Sequence, residues 1–291
     1  CAKAGFEVKH EQFAINDRLA TAFRPMPLKT GREADMKEAL EWFDMVKPHF
    51  FRAPLDNDKG FGNWIAKDWK NNRLDSPETV TVKPLDAKRN ADGTVTVTAT
   101  QECRYANGKI TTDYVYTMDA DGSVDFSATY TPEGQLPPLP CIGNTFLLNK
   151  DMTRLSWYGQ GLQDSYVDRL EATGIGRWTS SVDQEYVHYP RPQSSGNHEQ
   201  TVTLSLTDAK GRGYTVTTAN ATPFAFSALP YSEHQLSTVA HDCDLQTESN
   251  VFLNIDAAMM GLGNSSCGPG VLTKYSIPQK QHSLHVMFKR K

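Results

Sequence analysis

The chain has 291 residues, a formal net charge of −4, 38% hydrophobic residues and 22% charged residues, which is the composition of an ordinary globular protein. No run of 18 apolar residues is present that would predict a membrane-spanning helix, and the mild acidity gives no basic surface for nucleic acid. Neither a membrane nor a nucleic acid is therefore expected as a partner. The first 30 residues do not match a signal peptide, because charges are scattered through them: Lys3, Glu7, Lys9, Glu11, Asp17 and Arg18.

Helix is predicted in two places near the start of the chain. Glu33 to Val46 places Met36, Leu40 and Phe43 on one face, and a shorter helix is predicted over Trp64 to Asn71. Residues 1–49 are expected to supply N-terminal strands and this first helix, leading into a large domain over 50–291.

The dominant pattern after residue 90 is alternation of apolar and polar residues with a period of two, which predicts half-buried β-strands rich in Val, Thr, Tyr and Phe. Short Asn, Asp and Gly turns separate these runs, as hairpins require. The sequence therefore predicts an all-β fold, a large antiparallel supersandwich. The predicted strands cover Thr94–Thr100, Ile110–Met118, Ser123–Tyr130, Thr201–Leu206, Tyr214–Thr218, Phe224–Leu229 and Ser283–Phe288.

One proline-rich segment, residues 134–140, interrupts the strand pattern. Proline cannot continue a central β-ladder, because it lacks the backbone N–H. The segment is therefore predicted to cross between two halves of the sheet system.

Sequence spacing predicts no metal or cofactor on this chain. The five cysteines are odd in number and contain no C-x-x-C, and His282 and His285 do not have a recognised ligand spacing. Free, mostly buried thiols are expected.

The segment Asp56 to Gly60 resembles the opening of a calcium loop, but Gly60 and Lys67 stand where ligands are required. A glycosidase pair formed by Asp56 and Asp58 is also disfavoured, because such pairs usually come from different elements. Capping of a loop is the preferred interpretation. The Gly-rich run from Trp157 to Leu162 predicts a tight turn, and core packing is expected for most of the surrounding aromatic residues, which are Trp157, Tyr158, Trp178, Tyr186 and Tyr189.

Four stretches together, in order, resemble the C-terminal domain of glycoside hydrolase family 2 β-galactosidases, a region that is a separate small chain in some of those enzymes. We call them stretches 1 to 4. They cover residues 50–58 (FFRAPLDND), 157–169 (WYGQGLQDSYVDR), 189–197 (YPRPQSSGN), and 254–256 (NID) with 261–269 (GLGNSSCGP).

The resemblance implies a galactose-mutarotase-like supersandwich that packs against a TIM barrel and completes its β-galactoside pocket. Both catalytic glutamates lie in that barrel, so no catalytic residue is expected on this chain. The barrel domain or large subunit is the expected partner, with a β-galactoside as the shared ligand and an oligomer of the full enzyme as a further expectation. Any Mg or Na ion is expected in the catalytic domain.

The resemblance also places site residues. Ser266 and Cys267 match the loop that reaches the sugar pocket, where some members have a stacking tryptophan. Asn57, Asp58 and Gly60 match a segment near the pocket mouth and are expected to shape it. Several positions depart from the family pattern, namely Leu162, Asp164, Ser194, Ser195, and Cys141 in the place of a common arginine. Another β-galactoside or β-glycoside therefore fits as substrate equally well.

Two alternatives remain open. An independent aldose 1-epimerase needs a histidine and a carboxylate in one cleft, and a free carbohydrate-binding module needs exposed aromatic rings. The histidines available for an epimerase are His188, His198, His234 and His241. The compartment is left open between the cytoplasm and the periplasm of a bacterium.

Overall fold

The computed structural model describes residues 42–60, 65–263 and 270–291. Fourteen strands and four helices are found in this part of the chain. The strands are β1 (Val46–His49), β2 (Glu78–Arg89), β3 (Val95–Arg104), β4 (Gly108–Met118), β5 (Val124–Gly134), β6 (Cys141–Asn149), β7 (Arg154–Gly161), β8 (Gly174–Ser181), β9 (His198–Thr201), β10 (Thr203–Thr207), β11 (Gly213–Thr218), β12 (Phe224–Leu229), β13 (Asn250–Met259) and β14 (His282–Arg290). The helices are α1 (Asp56–Lys59), α2 (Ile65–Asn72), α3 (Val182–Glu185) and α4 (Glu233–Thr238).

The strands form two antiparallel sheets. The smaller sheet has the order β1-β6-β13-β12-β9, and the larger has the order β2-β3-β4-β5-β14-β11-β10-β7-β8. The prediction of an all-β antiparallel supersandwich is confirmed. The proline-rich segment crosses between the sheets as predicted, since β5 belongs to the larger sheet and β6 to the smaller.

An aromatic cluster fills the space between the sheets. The ring of Trp42 lies 4.9 Å from Tyr116 on β4 and 6.0 Å from Phe146 on β6, measured between ring centroids. Phe126 and Phe288 complete the cluster from the larger sheet. Each buried ring removes a large apolar area from water, so this cluster is a main source of cohesion between the layers.

The predicted helices have different outcomes. The helix predicted over Trp64 to Asn71 is confirmed in its described part as α2, which ends one residue later at Asn72, whereas Trp64 lies outside the described residues. The helix predicted over 33–46 lies mostly outside the described residues; residues 42–44 are helical, but Val46 already belongs to β1, so the predicted end is wrong. The division at residue 49 stays a prediction. No helix among the described residues is long and apolar enough to cross a membrane.

Candidate functional site

The candidate site begins where β1 and β13 leave the smaller sheet. Both strands pair antiparallel with β6, so they run in the same direction and end at the same edge. Their registers coincide, because His49 and Asp256 both face Gly143 of β6. The segments that follow the two strands, 50–60 and 260–263, therefore start close together although they are more than 200 residues apart in the chain.

A buried arginine ties these two segments together. Arg52 is fully buried, and its Nη1 donates to the carbonyl of Met260 at 2.9 Å while its Nη2 donates to the carbonyl of Gly261 at 3.2 Å. Nη2 also pairs with Asp58 Oδ2 at 3.5 Å. The guanidinium lies 5.9 Å from the ring centroid of Trp69 on α2. One cation thus holds the segment 50–60, which contains α1, in a fixed position against the backbone that follows β13.

The carboxylate of Asp58 has a capping role. Its Oδ2 accepts the backbone N–H of Leu55, the N-cap residue of α1, at 2.9 Å and so fixes the start of this helix. The side chain is fully buried. Asp58 therefore shapes the segment from inside, which agrees with the capping interpretation of this motif and argues against both the calcium loop and the carboxylate pair.

Two of the other predicted site residues lie on the surface beside this network. Asn57 is half-buried, and its Nδ2 donates to the carbonyl of Leu262 at 3.2 Å. Gly60 is half-buried at the C-terminal end of α1. Ser266 and Cys267 lie outside the described residues, so their contact with a sugar stays a prediction, as it does for Asn57, Asp58 and Gly60.

Stretch 2 contributes a residue that sequence reasoning quoted but gave no role. Asp168 Oδ2 accepts two backbone N–H groups, from Leu262 at 2.8 Å and from Gly263 at 2.9 Å. The approach is close, because a Cβ on Gly261 would lie 2.6 Å from the same oxygen. Asp168 therefore fixes the first turn of the loop that leads to residues 264–269. The signal in the sequence that could have identified Asp168 is that it is an aspartate within a family motif.

Stretch 3 binds the same unit from the other side. Gln193 and Asp56 exchange two hydrogen bonds, of 3.0 Å to the Asp56 backbone N–H and 3.3 Å to its carboxylate. Asn197 and Ser165 also exchange two hydrogen bonds. The backbone N–H of Ser165 donates to the carbonyl of Asn197 at 2.7 Å, and Asn197 Nδ2 donates to the carbonyl of Ser165 at 2.8 Å. All four stretches thus meet in one hydrogen-bonded assembly, which explains why motifs so far apart in sequence occur together.

A buried carboxyl group lies behind this assembly. Glu199 accepts a hydrogen bond from Asn197 Nδ2 at 3.1 Å. Burial raises the pKa of Glu199 from 4.5 to about 8, with further increase from the charges of Asp256 and Asp168. Glu199 is therefore mostly protonated at neutral pH.

A second buried group lies on the outer face of the smaller sheet. His49 Nδ1 is 2.7 Å from Asp256 Oδ1, and its Nε2 is 3.7 Å from Cys141 Sγ. Burial alone lowers the pKa of His49, but the charges of Asp256 and Cys141 outweigh it and raise the pKa well above the usual value. Among the described residues, these three have the donor atoms and the spacing needed to hold a metal ion.

Stretches 2 and 3 also frame a polar pocket of about 630 Å³. Its wall includes Gln163, Asp164 and Glu185, and burial raises the pKa of Asp164. Glu185 Oε2 is 2.6 Å from the Nε2 of fully buried His198. A pair in direct contact leaves no room for a hexose between acid and base.

The remaining epimerase candidates are on the surface, with His188 bound to Asp242 at 2.8 Å and His234 and His241 exposed. None of these four histidines therefore forms, with a carboxylate among the described residues, an open pair that could hold a hexose between them.

The tight turn predicted over Trp157 to Leu162 is wrong, because β7 runs through Gly161. Three of the five aromatic residues named with it pack against the interior, as predicted for most of them. Trp157 and Tyr186 are buried and Trp178 is half-buried, whereas Tyr158 and Tyr189 are exposed. Of the described thiols, Cys103 and Cys141 are free and buried and Cys243 is free and exposed, which confirms the expectation for these three.

Fold and site together define an all-β protein of two antiparallel sheets in which motif carboxylates hold loops in place. Comparison with known proteins identifies the family. The family model described as β-galactosidase small chain matches residues 28–288. The chain belongs to this β-galactosidase small-chain family.

The curated relatives are longer proteins. The β-galactosidase of Streptococcus thermophilus is 32% identical over 218 residues, which are 75% of this chain and 21% of that protein. The β-galactosidase of Actinobacillus pleuropneumoniae is 26% identical over 285 residues, which are 97% of this chain and 27% of that protein. The chain thus spans about a quarter of the length of these relatives.

Among solved structures, a putative aldose 1-epimerase from Escherichia coli matches 72% of this chain and 69% of that chain, with a TM-score of 0.37 and 10% identity. A galactose mutarotase related enzyme from Lactobacillus acidophilus matches 71% of each chain, with a TM-score of 0.36 and 10% identity. Similarities of this size do not bear on function.

Asp168→Ala should loosen the loop after β13. Loss of the carboxylate leaves the N–H groups of Leu262 and Gly263 without their acceptor, so we expect faster amide exchange there and a loss of about 1–3 kcal/mol in the free energy of unfolding. Hydrogen–deuterium exchange and urea denaturation measure both effects. Asp168→Asn is the matched control, because it keeps an acceptor oxygen and should retain most of the protection. Unchanged exchange at both amides in Asp168→Ala would contradict the assignment.

Glu199→Gln should change the pH dependence of stability. The unfolded chain releases this proton near pH 4.5 and the native chain near pH 8, so Glu199 lowers the free energy of unfolding as the pH rises between these values. The slope is at most about 1.4 kcal/mol per pH unit. The variant should therefore gain on the wild type between pH 5.5 and 8 in urea denaturation. The exposed Glu171→Gln is the control and should have the same difference in the free energy of unfolding between pH 5.5 and pH 8 as the wild type. An identical pH dependence of the free energy of unfolding in the wild type and Glu199→Gln would refute this prediction.

Proposed function

We propose that this chain is a non-catalytic domain or small subunit of a retaining β-galactosidase of glycoside hydrolase family 2. Its role is to form one wall of the galactoside pocket of a catalytic TIM barrel. Family membership supports the enzyme class, and the alignment with about a quarter of longer β-galactosidases supports a part that works with a larger catalytic unit.

The observation that carries the proposal is how the motif carboxylates are used. Asp58 and Asp168 accept backbone N–H groups of loops, and Asp256 is bound to His49. A catalytic acid or nucleophile must instead face a substrate. These carboxylates serve to hold the segment 50–60 and the loop after β13 in register, which suits a wall that positions a sugar for chemistry done by another part of the enzyme.

The proposed sugar-contacting residues follow the family motifs. Asn57 is half-buried in stretch 1 and bonded to Leu262, from which the chain continues to Ser266 and Cys267, and Gly60 is half-buried two residues beyond stretch 1. Asp58 contributes from beneath by fixing α1. The Mg or Na ions of the complete enzyme belong, in this proposal, to the catalytic domain, which also supplies the general acid/base and the nucleophile.

The full chain, purified alone, should not hydrolyse a chromogenic β-galactoside, because the catalytic glutamates lie elsewhere. The endogenous protein that carries this sequence should hydrolyse it, with a barrel on the same or a tightly bound polypeptide. Turnover by the isolated chain, or an active endogenous protein without a barrel, would overturn the proposal. Polarimetry on fresh α-galactose is the control for epimerase activity, which should be absent.

Cys267→Trp in the complete enzyme tests the pocket placement. An indole stacks on a sugar face, whereas a thiol cannot, so the inhibition constant for galactose should fall several-fold while the melting temperature changes little. The exposed Cys243→Trp is the matched control and should leave inhibition unaltered. An unchanged inhibition constant in Cys267→Trp would place this loop away from the sugar.

A further inference from the structure

We infer that His49, Cys141 and Asp256 form a binding site for a transition-metal ion of the zinc type. The sequence predicted no metal on this chain, because His49 is 92 residues from Cys141 and 207 from Asp256. The smaller sheet brings the three together, and all three side chains are buried.

The sheet explains why the donors converge on one face. Cys141 and Gly143 are two residues apart on β6, so both positions point to the same side. His49 and Asp256 sit on the flanking strands in register with Gly143. Side chains two strands apart are normally separated by the residue between them, but glycine leaves this space open. A Cβ on Gly143 would lie 2.2 Å from Asp256 Oδ1.

The distances suit a small ion. One donor atom from each residue lies within 4.8 Å of the others, and the Sγ of Cys141 is 3.7 Å from the Nε2 of His49. Donors on a tetrahedral zinc ion with bonds of about 2.0–2.3 Å are separated by about 3.3–3.8 Å. The cysteine–histidine edge through Nε2 already has this length, and the Asp256 edges, which are at most 4.8 Å long, need to shorten by about 1.5 Å or less.

An unused donor supplies independent support. Asp256 is fully buried, yet its Oδ2 has no hydrogen-bond partner among the described residues. A buried carboxylate oxygen without a partner is costly, and a cation would satisfy it. Binding would release two protons to solvent, one from the thiol of Cys141 and one from the imidazolium of His49, so that one thiolate and one carboxylate balance the two charges of the ion beside a neutral imidazole.

The group is also within reach of solvent. His49 forms part of the wall of a pocket of about 360 Å³, with Thr145 and Glu233 on the same wall. An ion can enter by this pocket, and water there can fill the fourth coordination position. Sulfur and imidazole donors favour Zn²⁺ over Mg²⁺ or Ca²⁺, which take oxygen ligands.

Cobalt titration of the full chain tests the site independently of any glycosidase activity. Co²⁺ bound to a thiolate gives a near-ultraviolet charge-transfer band, which should saturate at one Co²⁺ per chain and disappear when Zn²⁺ is added. The band should persist when the other four cysteines, Cys1, Cys103, Cys243 and Cys267, are changed to serine, since Cys141 is then the one thiol left.

Variants of the three donors complete the test. Cys141→Ala should abolish the band with its fold intact by circular dichroism, and His49→Gln and Asp256→Asn, which keep the thiol, should each weaken Co²⁺ binding at least tenfold. The exposed His188→Gln is the matched control and should bind as the wild type does. No band in the wild type, or a band that survives Cys141→Ala, would overturn the proposal. If Mg²⁺ displaced Co²⁺ as effectively as Zn²⁺ does, the proposed selectivity for a zinc-type ion would be overturned.

Discussion

The buried guanidinium of Arg52 is the constraint on which the candidate site depends. Taking a cation out of water is costly unless it is hydrogen-bonded, and here the partners of Nη1 and Nη2 are the carbonyls of Met260 and Gly261 and the carboxylate of Asp58. Because the carbonyls belong to the segment after β13 and Asp58 to the segment after β1, this one charge fixes the two segments relative to each other. Asp168 repeats this logic with the opposite sign, since one carboxylate oxygen gathers two backbone N–H groups of the loop after β13.

Much of the fold could be predicted from the sequence where one face of a strand is buried and the other is not. β3, β4, β5 and β14 of the larger sheet alternate in this way and were predicted. β6 and β13 of the smaller sheet were not predicted, because most of their residues are buried on both faces and the sequence does not alternate, whereas β12 of the same sheet was predicted although all its residues are buried. β2 was missed for the opposite reason: it is an edge strand exposed along most of its length, with Pro84 and register shifts inside it.

The site was predictable in its parts but not in its assembly. Family motifs identified stretches 1 to 4, and the capping role of Asp58 followed from its spacing. The meeting of Asp168 with Leu262, or of Gln193 with Asp56, depends on strand order and loop direction, which local pattern does not encode. The His49, Cys141 and Asp256 group shows the same limit, since its residues have no ligand spacing in the sequence and are joined by the register of three strands.

The pairing of β1 with β6 has a consequence for how the molecule is made. Arg52 must find acceptors 208 and 209 residues further along the chain. Closing so long a loop has an entropic cost, which is offset only when the strands on both sides of β6 are in place. During synthesis the Arg52 contacts can therefore form only after β13 and the two residues that follow it have left the ribosome. Until then the edge of β6 that pairs with β13 stays open, and an unpaired strand edge favours aggregation of an unfinished chain.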